Sequence, residues 1–246
     1  MKTILVVFAF ALLSLSAVAQ DAQEPTPPSY CKPCLFYGGD FDINGPYPNA
    51  LSNEDQYFYG VSVVYVPFAV PPNQTWTLAG LFSNNMLTRA NLGSPPEIEW
   101  SISTGISQGD AGTVIASGTT KASLAPTGRS WNGMNEYTAL SHLNASELVT
   151  LTSGHYWMTA VPVCLTSQDP PECEGAWYYL SDVEDVPAPH AVGFESPDES
   201  YWDIPGSTLY NFVEPGGPNG ICSQPGNGGG CDKFSAGLLG TATPDN

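Results

Sequence analysis

Positive charge is what this sequence has least of. Its 246 residues hold six lysines and arginines against 24 aspartates and glutamates, a formal net charge of −18. A surface this acidic repels phosphate, which excludes nucleic acid and anionic membranes as partners and favours cations. Catalytic signatures are equally scarce. There is no G-x-S-x-G elbow and no H-E-x-x-H pair, and the glycine-rich "PGNGGGCDK" has no helix pattern after it to make a phosphate loop. The three histidines, His142, His155 and His190, are too few and too scattered to point to a metal trio. Helical periodicity is missing too: no stretch keeps apolar residues at i, i+3 and i+4 for three turns.

What is present begins with an export signal. One lysine, an apolar run from Ile4 to Leu13 and the triplet Ala17-Val18-Ala19 read as a secretory signal peptide over residues 1–19, the run being too short to span a bilayer. Residues 20–30, "QDAQEPTPPSY", are polar and proline-rich, a flexible leader. Residues 31–246 then form one domain, since a single all-β unit of that length is ordinary. Apolar residues at 42% and aromatics at 11% are enough for a core, which argues against disorder despite the acidity. Without Lys2, five bases face 24 acids and the net charge becomes −19. No later segment is apolar enough to cross a membrane, and the tail carries no sorting or retention signal, so the expectation is a secreted protein, extracellular or periplasmic.

Six cysteines in an oxidising compartment read as disulfides. They allow fifteen connectivities, but they come as three close pairs, Cys31 with Cys34, Cys164 with Cys173 and Cys222 with Cys231, which makes local pairing the expectation. Each ten-residue loop so closed gains about 2.5 kcal/mol from the restrained unfolded chain. "CKPC" lacks both the βαβ context of a thioredoxin pair and the second C-x2-C or paired histidines of a zinc site.

Apolar runs rich in Val, Ile, Thr, Tyr and Trp alternate with Gly, Pro, Asn and Ser clusters. Ten strands are predicted: Tyr57 to Val66, Thr75 to Phe82, Glu97 to Ser103, Thr113 to Lys121, Glu136 to Leu143, Glu147 to Leu151, His155 to Cys164, Trp177 to Leu180, Thr208 to Phe212 and Phe234 to Leu239. In "EIEWSIS", Ile98, Trp100 and Ile102 point one way and Glu97, Glu99, Ser101 and Ser103 the other. Many short strands with frequent turns give the fold class: all-β, a single jelly-roll-like antiparallel β-sandwich with long loops, stapled by disulfides.

The runs "YVPFAVPPNQTWTLAGLFSNN", "EIEWSISTGISQGDAGTVIASGTT" and "LTSGHYWMTAVP" occur in that order over residues 35 to 165, and "FSAGLLGT" near the end extends the pattern. This layout resembles that of uncharacterised exported bacterial β-sandwich proteins, including the jelly-roll-like domains of anchored surface proteins. The resemblance implies a fold and no particular activity. Because the chain lacks the sorting signal of the anchored members, it also implies release rather than attachment.

Two regions are candidate sites. In "GGDFDING", Asp40, Asp42 and Asn44 have the opening spacing of a calcium loop. An EF-hand is excluded, since its twelfth position falls on Leu51 and Pro46 and Pro48 interrupt it. Two readings remain: a structural Ca2+ held by Asp40, Asp42 and Asn44, or a half-buried strand entering an Asn44-Gly45 turn. The second region runs from Asp169 to Asp203 and concentrates ten of the 24 acids. Its rings Trp177, Tyr179, Tyr201 and Trp202, with Asp198 and Glu199, suit a carbohydrate site, where rings stack on sugar faces and carboxylates accept hydroxyl hydrogen bonds. Glu97 and Glu99, about 7 Å apart on one strand, match a glycosidase spacing, as any outward-facing acid pair would. The expected function is non-catalytic binding or a structural role outside the cytoplasm, with polysaccharide or cell-surface material as partner. The alternatives are a polysaccharide hydrolase or lyase using the loop carboxylates, and a matrix or envelope protein without a small ligand.

Overall fold

The computed structural model describes residues 31, 33–41, 50–52, 54–56, 60–87, 97–107, 109–163, 178–183, 191–193, 196, 200–203, 210–211 and 233–245. Among them there is no helix. The strands are β1 (Cys34–Tyr37), β2 (Ala50–Ser52), β3 (Glu54–Gln56), β4 (Gly60–Val70), β5 (Gln74–Leu87), β6 (Glu97–Thr104), β7 (Thr113–Trp131) and β8 (Met134–His142). They continue with β9 (Val149–Leu151), β10 (Gly154–Val163), β11 (Tyr178–Val183), β12 (Tyr201–Asp203), β13 (Tyr210–Asn211), β14 (Lys233–Phe234) and β15 (Ala236–Pro244).

All join into one sheet, antiparallel except for a single parallel bridge between Val163 and Asp55. The sheet is curled, and β7 is where it turns. Residues 113–121 of β7 pair with β6, and residues 122–131 pair with β8. One half therefore runs β1-β15-β5-β8 and the other β6-β10-β4-β12-β13. Their inner faces meet in one apolar core: Val66 and Phe68 of β4, Ile98, Trp100 and Ile102 of β6, and Met158 of β10 lie against Trp76, Leu78 and Leu81 of β5. The predicted all-β architecture is thus what the described residues form, with its layers cut from one continuous sheet. Strand alternation explains the contact, since "EIEWSIS" buries Ile98, Trp100 and Ile102 and exposes Glu99.

The second part of β7 lies outside the predicted strand, which stops at Lys121. Pro126 and Gly128 read as breakers, yet the chain passes them with a register shift between Pro126 and Ser130 and stays in the sheet. It then turns at Asn132-Gly133, both at positive φ (48° and 79°), the backbone of a two-residue I′ hairpin.

β5 is covered on both edges. β15 lines Gln74 to Ser83 and β11 lines Asn85 to Leu87; on the other edge β9 lines Trp76 to Leu78 and β8 lines Gly80 to Leu87. Ala79 is an extra residue opposite Leu239 and Gly240, and this bulge reverses the alternation. After it, Leu81 faces the main core while Phe82 joins Tyr37 and Leu239 on the opposite face. Every residue from Gly80 to Leu87 is buried. The second face is covered too.

The crossing of β1, β15 and β5 is tight. A Cβ on Gly237 would run into the Phe82 ring and come within 2.7 Å of the Phe36 carbonyl oxygen. Gly237→Ala is expected to lower unfolding free energy by about 1–3 kcal/mol through overpacking. Denaturant titration checks this, the midpoint falling while the m-value holds.

Candidate functional site: a buried charged cluster

The covered second face of the first half is polar. On β8, Glu136, Thr138 and Leu140 alternate onto it, opposite Met86, Asn84 and Phe82 of β5. Segment 31–41 closes over this face, with the Cys31 and Cys34 sulfurs at disulfide-bonding distance at its start. Tyr37 bridges by backbone hydrogen bonds to Val192, and Gly38 N–H donates to the Ala236 carbonyl.

Beneath it the side chains form one network. Tyr37 OH donates to Asp40 Oδ1 at 2.5 Å. Asn84 Nδ2 donates to Tyr37 OH (3.1 Å) and Ser235 Oγ (2.8 Å), while its Oδ1 accepts from Thr138 Oγ1 (2.6 Å). Ser235 Oγ donates to the Gly39 carbonyl at 2.6 Å. Arg129 provides the charge link: Nη1 lies 2.9 Å from Asp40 Oδ1 and Nε 2.5 Å from Glu136 Oε2. Glu136 also accepts from Thr127 Oγ1 (2.6 Å) and Ser181 Oγ (2.5 Å). Exposure is 1% for Asp40, 0% for Glu136 and 12% for Arg129, so these charges meet one another and not water. Arg129 Nη2 is buried without a hydrogen-bond partner.

The electrostatics follow from burial. Tyr37 holds its proton well above the usual tyrosine range, first because burial disfavours the phenolate and then because the Asp40 carboxylate is adjacent; Arg129 opposes this only in part. Burial alone would lower the Arg129 pKa, but the charges led by Glu136 outweigh it and keep the guanidinium firmly protonated. The arrangement is a clamp that fastens segment 31–41 to β7, β8 and β11.

Of the predicted calcium residues, Asp40 is engaged by Tyr37 and Arg129, and Asp42 and Asn44 lie outside the described residues. Among the described residues no three His, Cys, Asp or Glu side chains stand together as a metal-binding group. Of the predicted carbohydrate residues, Tyr201 is buried, its ring edge-on to Trp157 at 6.5 Å. The backbones of Tyr179 and Trp202 are placed, on β11 beside β5 and on β12 beside β4, hence on different halves of the sheet. Trp177, Asp198 and Glu199 lie outside the described residues, as do Cys164, Cys173, Cys222 and Cys231. Glu97 and Glu99 project from β6 opposite Lys121 and Thr119.

Two groups escaped the sequence reading. One is Arg129 with Glu136, for which the available signal was the scarcity of bases. The other is Tyr65, half-buried on β4 beside Tyr201, its pKa raised by burial and by the nearby Asp203 carboxylate. No protein-family model, curated protein or solved structure matches the chain.

Arg129→Met leaves two buried carboxylates without their cation and is expected to cost about 3–5 kcal/mol, read by denaturant unfolding. Alkaline pH tests Tyr37. Its folded pKa lies above the unfolded value near 10, so its contribution is complete below about pH 10 and is lost as pH rises beyond it, by about 1.4 kcal/mol per pH unit. In Tyr37→Phe the alkaline limb should be shallower by one proton, with Tyr65 still contributing.

Proposed function

We propose that the chain is exported after loss of residues 1–19 and acts outside the cytoplasm as a non-catalytic β-sandwich that binds polysaccharide or cell-surface material. The observation that carries this reading is the placement of β12. It lays Tyr201, Trp202 and Asp203 along β4, so that half-buried Tyr65 adjoins half-buried Asp203 on the outer face of the second half. A ring beside a carboxylate at a partly open surface is the pairing that sugar hydroxyls and sugar faces use. Tyr201, directly opposite Tyr65 across the strands, packs with Trp157 and Ile106, and Tyr65 lies against this cluster. The strong negative charge agrees with a partner that is neutral or cationic. The resemblance to the jelly-roll-like domains of anchored surface proteins belongs to the same proposal.

A glycan array with the wild type, Tyr65→Ala and Asp203→Asn tests it. The expected result is retention of one glycan class, weakened at least about tenfold in either variant with the fold intact by circular dichroism. Absence of retention across a broad array overturns the glycan reading and leaves the matrix or envelope role, which co-purification of partners would then support. Sugar release that disappears in Asp198→Asn or Glu199→Gln would establish the hydrolase or lyase instead.

A further inference from the structure

Among the described residues, the first part of β7 has a neighbour on one edge only. Over Thr113–Lys121 it pairs with β6, and among the described residues no strand pairs with its other edge. Val114 and Ile115 are 56% and 45% exposed, two of three large apolar side chains this open among the described residues. Ser103 pairs with Val114 and Ile102 with Ala116, so Ile115 is the extra residue of a bulge; beyond it Ala116–Lys121 is regular, about 20 Å of open edge. Natural edges are blunted by proline, by lysine along the strand or by inward charge. From Ala116 to Thr120 this one has none of these.

Its two faces differ. Ala116, Gly118 and Thr120 point inward, with Gly118 packed on the Trp100 indole, while Ser117, Thr119 and Lys121 point outward and are exposed. The outward face continues on β6 with Glu97 and Glu99. Asp110 flanks one end, and at the other Glu147 Oε1 accepts from Thr120 Oγ1 at 3.5 Å. Among the described residues, Lys121 is thus the one cation along this edge, beside Glu97 and Glu99 on the neighbouring strand and Glu147 at its end. A second copy, itself carrying −19 in mature form, would be repelled here. A cationic strand would not.

We propose that the edge Ala116–Lys121 binds an extended, lysine- or arginine-bearing segment of another protein by strand addition. Main-chain hydrogen bonds supply the affinity, alternate apolar residues cover Ala116 and Gly118, and the intervening cations lie two strand spacings, roughly 9.5 Å, from the Glu97 and Glu99 row. That distance is about one Debye length at physiological salt, so the attraction is felt and is salt-dependent. This surface is separate from the β12 region and does not depend on the carbohydrate proposal.

The test is calorimetric titration of the full mature chain with a short peptide alternating lysine and valine, alongside its fully N-methylated analogue and a glutamate–valine counterpart. Binding of the lysine peptide alone is expected, weaker at high salt and weakened at least about tenfold in Ser117→Lys/Thr119→Lys, whose exposed positions leave the fold intact by circular dichroism. Equal binding of the N-methylated analogue overturns strand addition, because only charge would then be read. Failure of the lysine peptide to bind overturns the proposal as well. Light scattering that shows a dimer dissociated by the double lysine variant would assign the edge to a second copy instead.

Discussion

One guanidinium between two buried carboxylates sets the terms for the first half of the sheet. Removing charge from water is costly, and attraction repays it only where geometry and auxiliary hydrogen bonds are good. Here Thr127 and Ser181 supply donors to Glu136, and Tyr37 supplies one to Asp40. The cluster also fixes register. Arg129 reaches both partners because the chain shifts register between Pro126 and Ser130, so strand slip would bury charge without compensation. Four separate stretches of sequence meet at this point: segment 31–41, β7, β8 and β11.

The strand beneath them connects the two kinds of interior. Before Ala79, β5 alternates like any half-buried strand; after it, one face enters the apolar core and the other the polar layer. Ser83 Oγ donates across to the Ala160 carbonyl of the opposite half, and Asn84 Nδ2 donates to Tyr37 and Ser235 on the other side. Adjacent residues thus serve different layers, and the single inserted residue is what makes this arrangement available.

Much of this was legible. β6 is readable because alternation with one buried face leaves a period of two in the sequence, and β10 because a short apolar run follows a Gly154 turn signal. β7 beyond Lys121 was not, because Pro126 and Gly128 carry the local signature of a break, while pairing with β8 is a tertiary fact. Asp40 illustrates the limit for sites. Its spacing to Asp42 and Asn44 suggests a cation, and the cation the structure places there is a side chain 89 positions away in sequence. Spacing reports local ligands and is silent about distant ones. Tyr201 shows the same limit, since no pattern within "DESYWD" says that its ring meets Trp157.

The order of strands has a kinetic consequence. β15, the last strand in sequence, lies between β1 and β5, with Leu239 opposite Cys34. Closing the first half therefore waits until residues 236–244 have been synthesised, and the contacts that complete it span nearly the whole chain. Such non-local closure makes folding slow and leaves early strands, including the neutral edge of β7, uncovered meanwhile. A chain built this way keeps the β1 and β5 edges open until residues 236–244 are in place between them.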